Sequence, residues 1–305
     1  MKKYLSLIIG VLLLSFTTAT AQYVTIPDSA FRSQLIKYYP SCFNSAGQMD
    51  TTCSAIVNED SLNFSSGSLI GSIDNSMIYS IKGIKYFKNL QLLYMNSGGG
   101  LKTISEWPPN LKYIYIGDCG LDSLPNNFPD SLVSFEFIPN GGSDYIYHEH
   151  SFPPFPSTLV KFAVYSIIKL TQLPALPQSL KYLFIQGSQL VSLPTLPNGL
   201  EYLEVRGFPG QMQHLPSLPK GLKYLGCADH LLDTLPPLPD SLRNLSVGGN
   251  KLLKHIPTLP GHLDSLICWG DSSLTSLPPL PGSLDLLDVY NSGITCLPVL
   301  PNNLK

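Results

Sequence analysis

The residues with the most evident recognition chemistry are tyrosines that return at one place in a recurring motif. They are Tyr113, Tyr182, Tyr202 and Tyr224, with Tyr115, Phe184 and Tyr165 a step further along. A row of tyrosines offers large contact area at small entropic cost and suits stacking on sugars or anchoring a peptide. Glu204, Arg206, Lys161 and Asp288 fall nearby in the pattern and supply polar specificity. The competing reading is that duplication copied a Tyr that only shields a sheet. A second constellation, His148-Glu149-His150 with Asp144, has the composition of a metal loop. Two close His in a Gly-containing stretch more commonly form a solvated loop, so no metal is expected. The chain has no GxSxG, HExxH or GxGxxG, and Gly98-Gly99-Gly100-Leu101-Lys102-Thr103 lacks the Gly-Lys adjacency of a phosphate loop. Its Ser, Asp and His spread along one surface, so neither catalysis nor a cofactor is expected.

The elements that position the tyrosines follow from a fixed period. Leu173-Pro174, Leu193-Pro194, Leu215-Pro216, Leu235-Pro236, Ile256-Pro257, Leu277-Pro278 and Leu297-Pro298 are spaced by steps of 20, 22, 20, 21, 21 and 20 residues. Each is followed three residues later by a second Leu-Pro and then by a run such as Leu180, Leu183, Ile185. A period of this length, LPxLPxxLxxLxV, predicts a solenoid. Degenerate copies extend it back to residue 81, through Leu90, Leu93, Met95 and Leu159, Phe162, Val164, for about ten strands stacked about 4.8 Å apart. Alternation turns the Leu and Val positions into the core and the tyrosines onto the concave face. Paired prolines remove backbone donors and disfavour helix, so the convex side is expected to be helix-poor.

Residues 1–21 read as a signal peptide: Lys2 and Lys3, an apolar run from Tyr4 to Phe16, then Ala19-Thr20-Ala21. The run is shorter than a membrane span needs, and no later segment is long enough, so no membrane span is expected after cleavage. Charged residues make up 13% and the net charge is -2, which supports neither nucleic acid nor anionic lipid as a partner. Residues 22–80 read as an N-terminal cap with irregular first coils. Within them Asp28 caps a short helix carrying Phe31, Leu35 and Ile36, and Cys42 and Cys53 are close enough for a disulfide. Cys227 and Cys268 take the Val or Ile slot and should be buried, Cys119 takes a turn position, and Cys296 is unassigned.

With these residues in view, the chain over 81–305 resembles the leucine-rich repeat superfamily, in the short proline-marked bacterial form found in secreted effectors and surface proteins. IPDSAF at 26–31 and SIKGIKYFKNLQLL at 80–93 are similar to the cap and first repeat of internalin-like exported proteins. The resemblance implies a mainly β solenoid, a curved horseshoe with a parallel concave sheet. The sequence departs from the family at the Asn after each strand, which Asn250 keeps and Cys119, Ser188, His230, Asp271 and Ser292 replace. The final unit starts at Leu297 and stops at Lys305, which reads as a truncated repeat. Effectors of similar type can carry a ligase domain with a Cys-x-Asp motif. Cys227-Ala228-Asp229 matches those letters, but a core-facing thiol is inert. The expected function is an exported or cell-surface module that binds a protein or a glycan. The alternatives are the recognition half of a larger secreted enzyme with its catalytic domain beyond residue 305, and a structural coat protein.

Overall fold

The computed structural model describes residues 21–65, 78–96, 100–139, 151–207 and 210–305. All but the last residue of the expected leader, and the His148-Glu149-His150 loop with Asp144, lie outside the described residues.

Eleven parallel strands stack in chain order into one sheet. Two short strands precede them, β1 (Tyr23–Val24) and β2 (Met49–Asp50), which pair antiparallel with each other. The sheet comprises β3 (Ser61–Ser65), β4 (Leu92–Asn96), β5 (Tyr113–Cys119), β6 (Ser134–Pro139), β7 (Lys161–Val164), β8 (Tyr182–Ser188), β9 (Tyr202–Gly207), β10 (Tyr224–Ala228), β11 (Asn244–Ser246), β12 (Ser265–Ile267) and β13 (Leu286–Asp288). Sequential parallel pairing without crossover is what one supersecondary unit repeated many times must give. β3 is a correction to the expected irregular coils: Leu62 pairs with Leu93 and Phe64 with Met95, so this stretch already follows the inward alternation. Its Ser and Asn positions fall on the solvent face and hide the pattern.

The inward residues form two rows. Leu93, Ile114, Phe135, Phe162, Leu183 and Leu203 stand in register in one, and Met95, Ile116, Phe137, Val164, Ile185 and Val205 in the other. All are buried. Cys227 and Cys268 extend the second row as expected, and burial pushes both thiols up to about 12.

Each unit returns through a turn that the prolines announce. The N–H of Leu180 donates to Pro177 O, and the same bond recurs from Leu200 to Pro197, Leu222 to Pro219, Leu242 to Pro239, Leu263 to Pro260 and Leu284 to Pro281. The two residues between are turn formers, and a hydroxyl at the second of them stitches neighbouring units together. Ser131, Thr158, Ser179, Ser241 and Ser283 donate to the backbone carbonyls of Leu111, Leu132, Leu159, Leu222 and Leu263 at 2.6–2.8 Å. No helix forms in the repeats beyond β4 among the described residues.

At the far end of the strands the chain bends through a left-handed residue: Asp118, Ser166, Gly187, Asp229, Gly249, Gly270 and Asn291 all have φ between 46° and 79°. These are mainly the residue types that tolerate that conformation. The next position is the family's Asn site. Asn250 there is fully buried, donating to Cys227 O and Val247 O and accepting from the Leu232 N–H. Its own N–H donates to Asp271 Oδ1 at 2.7 Å. The substitutes do less. Ser188 Oγ, both ring nitrogens of His230 and Asp271 Oδ2 are buried without a partner among the described residues.

N-terminal to the sheet, α1 (Ser29–Tyr38) starts at Asp28, whose Oδ1 accepts the Phe31 N–H at 2.8 Å. Its other oxygen accepts from the N–H groups of Tyr79 and Ser80, tying the helix start to the first coil. Phe31 and Leu35 are buried, and Phe31 meets Phe64 edge-on at 5.8 Å. Ile36, placed on the same face by its spacing, is only half-buried. Cys42 and Cys53 are joined, with Cα atoms 5.5 Å apart across 11 residues, just before α2 (Ser54–Val57). Reducing this bond is expected to lower unfolding stability by about 3 kcal/mol, the loop-closure value for such a span. A urea midpoint unmoved by reductant would contradict that.

Candidate functional site

The side chains that alternate away from the core give the sheet an open face. On it Tyr182, Tyr202 and Tyr224 are direct neighbours in register on β8, β9 and β10. Their rings stack at 4.2 and 4.3 Å with interplanar angles of 10° and 11°. Strand spacing of about 4.8 Å is close to the separation at which parallel rings attract, so identical aromatics in register stack without further help. Stacking has a consequence for chemistry. The inner ring faces are covered by one another, and the ladder presents ring edges and phenol oxygens to solvent.

Charged groups lock both flanks of this ladder. Lys161, on β7, donates to Glu136 Oε2 at 2.8 Å and places its ammonium 5.5 Å from the Tyr182 ring centre. The bond to Glu136 raises the Lys161 pKa. On the other flank Glu204 is only 3% exposed. Arg206 donates to its Oε1 through two nitrogens at 2.6 Å, and the Tyr202 hydroxyl donates to its Oε2. Burial together with that hydrogen bond pushes the Tyr202 phenol far above its usual range. Burial also raises Tyr224, so these phenols are neutral donors at physiological pH and no base. Gly226 makes room for the network: a Cβ there would stand 2.9 Å from Glu204 Cγ and 3.1 Å from Tyr224 Cε1.

The nine residues singled out from the sequence all lie on the open face, but they do not form one stripe. Tyr113 is three strands from Tyr182, about 14 Å at the strand spacing, with Ser134 and Lys161 between. Tyr115 instead stacks on Tyr94 at 4.4 Å and 3°, a separate pair that sequence reasoning passed over. Tyr165 is not in the row of Tyr115 and Phe184; it lies one alternate position further along, leaning on Phe184 at 4.5 Å. Glu204 also changes role, because both its oxygens are held inside the protein and it positions Tyr202 and Arg206. Trp269 and Tyr290 were missed as well, although alternation from Leu266 and Leu287 puts them on this face.

Among the described residues of this face no nucleophile is paired with a base. Cys227 of the Cys-x-Asp triplet is buried with a raised pKa, and Asp229 sits at the left-handed bend. Among the described residues no group of three or more His, Cys, Asp or Glu has metal-binding geometry, and no helix is long and apolar enough to cross a membrane.

No family model and no curated protein matches the sequence. Solved structures do. YopM from Yersinia enterocolitica WA-314 is similar at 30% identity with a TM-score of 0.56, over 72% of this chain and 51% of that one. The chain thus spans about half the length of that protein. The leucine-rich repeat domain of the type III effector XopL matches at 16% identity and TM-score 0.43, over 92% of this chain and 95% of that one. Internalin InlF from Listeria monocytogenes matches at 15% and 0.44, over 89% and 91%. The in-register parallel solenoid and the likeness to YopM agree on one architecture.

Proposed function

We propose that this leucine-rich repeat protein is an exported module of the cell surface or its surroundings, recognising a protein or glycan through the concave face of its sheet. The observation that carries the reading is the Tyr182-Tyr202-Tyr224 ladder. Three aromatic side chains are held in fixed rotamers at solvent by stacking, by Lys161 and by the Glu204-Arg206 pair, so little entropy is lost when a partner covers them. Tyrosine edges at the centre of a face whose Glu136-Lys161 and Glu204-Arg206 charges are paired suit a protein hot spot, where tyrosine and arginine dominate. The apparent leader and the disulfide fit an oxidising destination. The signal peptide is checked by intact mass of the released product, expected to begin at Gln22.

For the ladder itself, a photo-crosslinking aromatic at Tyr202 in the full chain is expected to capture a partner identifiable by mass spectrometry. Replacing Tyr182, Tyr202 and Tyr224 together by Ala should then abolish binding of that partner while leaving a cooperative melting transition. Undiminished binding by the triple variant would sink the proposal.

A further inference from the structure

Trp269, on the strand extension after β12, is 37% exposed on the open face. Its indole lies over Gly248 of the preceding repeat. A Cβ on Gly248 would stand 2.7, 2.7 and 2.8 Å from Cε2, Nε1 and Cδ1. A point that far from three atoms of a five-membered ring, and equally far from each, lies on the axis through the ring's face. The indole is therefore laid flat on the glycine with its opposite face turned to solvent, unlike the tyrosine rings that cover one another. Backbone pairing holds it there, because Gly249 N–H donates to Trp269 O and Gly270 N–H to Tyr290 O.

The surroundings differ from the centre of the sheet in a second way. At the centre Glu136, Lys161, Tyr202, Glu204 and Arg206 are committed to one another. On the open face of β11 and β12 the polar side chains are three, Asn244, Ser246 and Ser265, all half-buried and neutral; Ser246 pairs with Ile267 two residues before Trp269, and Asn244 pairs with Ser265 four residues before it, about 13 Å along the strand. None of the three makes a side-chain hydrogen bond among the described residues. Asp288 accepts the Tyr290 N–H through Oδ1 and faces no Lys or Arg of the chain in an ion pair. Of the arginines on this side of the sheet, Arg206 is engaged by Glu204, and Arg243 donates to His262 O.

We propose that Trp269 is the stacking platform of a glycan subsite that takes a neutral β-linked pyranose of gluco configuration. A ring with all its substituents equatorial offers an indole an unobstructed C–H face on either side, and a linked run of such rings lying from Trp269 back along β12 brings hydroxyls to Ser246 and Asp288, then to Asn244 and Ser265. The charge matches, since β11, β12 and β13 carry no lysine or arginine to attract an acidic sugar. This proposal rests on the concave sheet being the recognition face and assigns the ligand class to one part of it.

The test titrates the full chain with tetrasaccharides of β-1,4-linked glucose and of β-1,4-linked N-acetylglucosamine. Tryptophan emission is followed in a Trp107→Phe background so that Trp269 is the reporter. A saturable emission change is expected with at least one sugar. By calorimetry, Trp269→Ala is expected to weaken that binding at least tenfold, and Gly248→Ala, which lifts the indole off its floor, to weaken it as well. The Tyr182, Tyr202, Tyr224 triple variant is expected to keep it. No saturable response to either sugar, or unchanged affinity in Trp269→Ala, overturns the proposal. A response to a lysine-rich peptide with none to the sugars overturns it too, and assigns the indole to a cation of a protein partner. None of these failures touches the tyrosine ladder, which the crosslink at position 202 tests independently.

Discussion

Asp271→Asn is expected to stabilise the protein by about 4 kcal/mol at pH 8 and to turn a nearly level pH–stability profile into an acid-sensitive one. Burial is the main reason the Asp271 carboxyl is raised to about 7, with the Asn250 N–H opposing and Asp229 adding to the rise. An acid whose folded pKa lies above its unfolded value stabilises the fold while protonated, and the contribution is lost as pH climbs from about 4 to about 7. At about 1.4 kcal/mol per unit that amounts to roughly 4 kcal/mol. His230 works in the opposite sense over nearly the same window. Burial lowers it to about 4, so its contribution is complete above about 6.5 and lost as pH falls toward 4, about 3 kcal/mol in all.

Asn250 sits between the two in the ladder, and the slopes oppose each other between about pH 4 and 6.5. With Asn at 271 only the histidine arm remains, so stability should fall by about 3 kcal/mol from pH 7 to 4. His230→Asn should leave the acid arm and gain stability over that range. Asn is the natural choice for both tests because its amide has the donors with which Asn250 reaches two carbonyls. Urea midpoints of the three proteins at pH 4, 5.5, 7 and 8 decide the matter. Parallel profiles would show that neither buried group changes its pKa on folding.

Phe135→Ala is expected to cost about 3–5 kcal/mol, the range for a fully buried phenylalanine. Phe135 is fully buried on β6, with Phe128, Phe152, Phe162 and Phe137 at 5.0, 6.3, 5.6 and 6.4 Å. Phe128, Phe135, Phe137 and Phe152 belong to the unit from Leu124 to Phe152, where the repeat is 28 residues long, and Phe162 meets them from the next unit. Bulky aromatics cannot collapse into the space left by a missing ring as leucines partly can. Repeats contact only their neighbours, so damage at the middle of the stack should also split one unfolding transition into two. Phe135→Leu should restore more than half of the loss. A single transition with a loss under about 1 kcal/mol would show that the neighbours close the gap.

Much of this protein was legible in one dimension because a solenoid writes its fold as a period. The Leu-Pro marks, the Leu and Val rows and the tyrosines two residues after a motif leucine place core and open face without knowledge of any distant contact. β3 escaped because its polar positions outnumber its apolar ones. The left-handed bend was equally visible in Asp118, Gly187, Asp229, Gly249, Gly270 and Asn291, yet it reads as scattered turn residues until the register aligns them.

What the sequence by itself determined is the architecture: neighbouring repeats share one register, so local spacing dictates which side chains become neighbours four or five ångströms apart. What only the tertiary structure decided is what those neighbours do to each other. Whether a tyrosine shows its face or its edge, whether Glu204 is a contact or a support, and whether Trp269 lies flat depend on side-chain rotamers and on a glycine in the adjacent repeat. Those choices are settled by packing across strands, and no periodicity along a single strand encodes them.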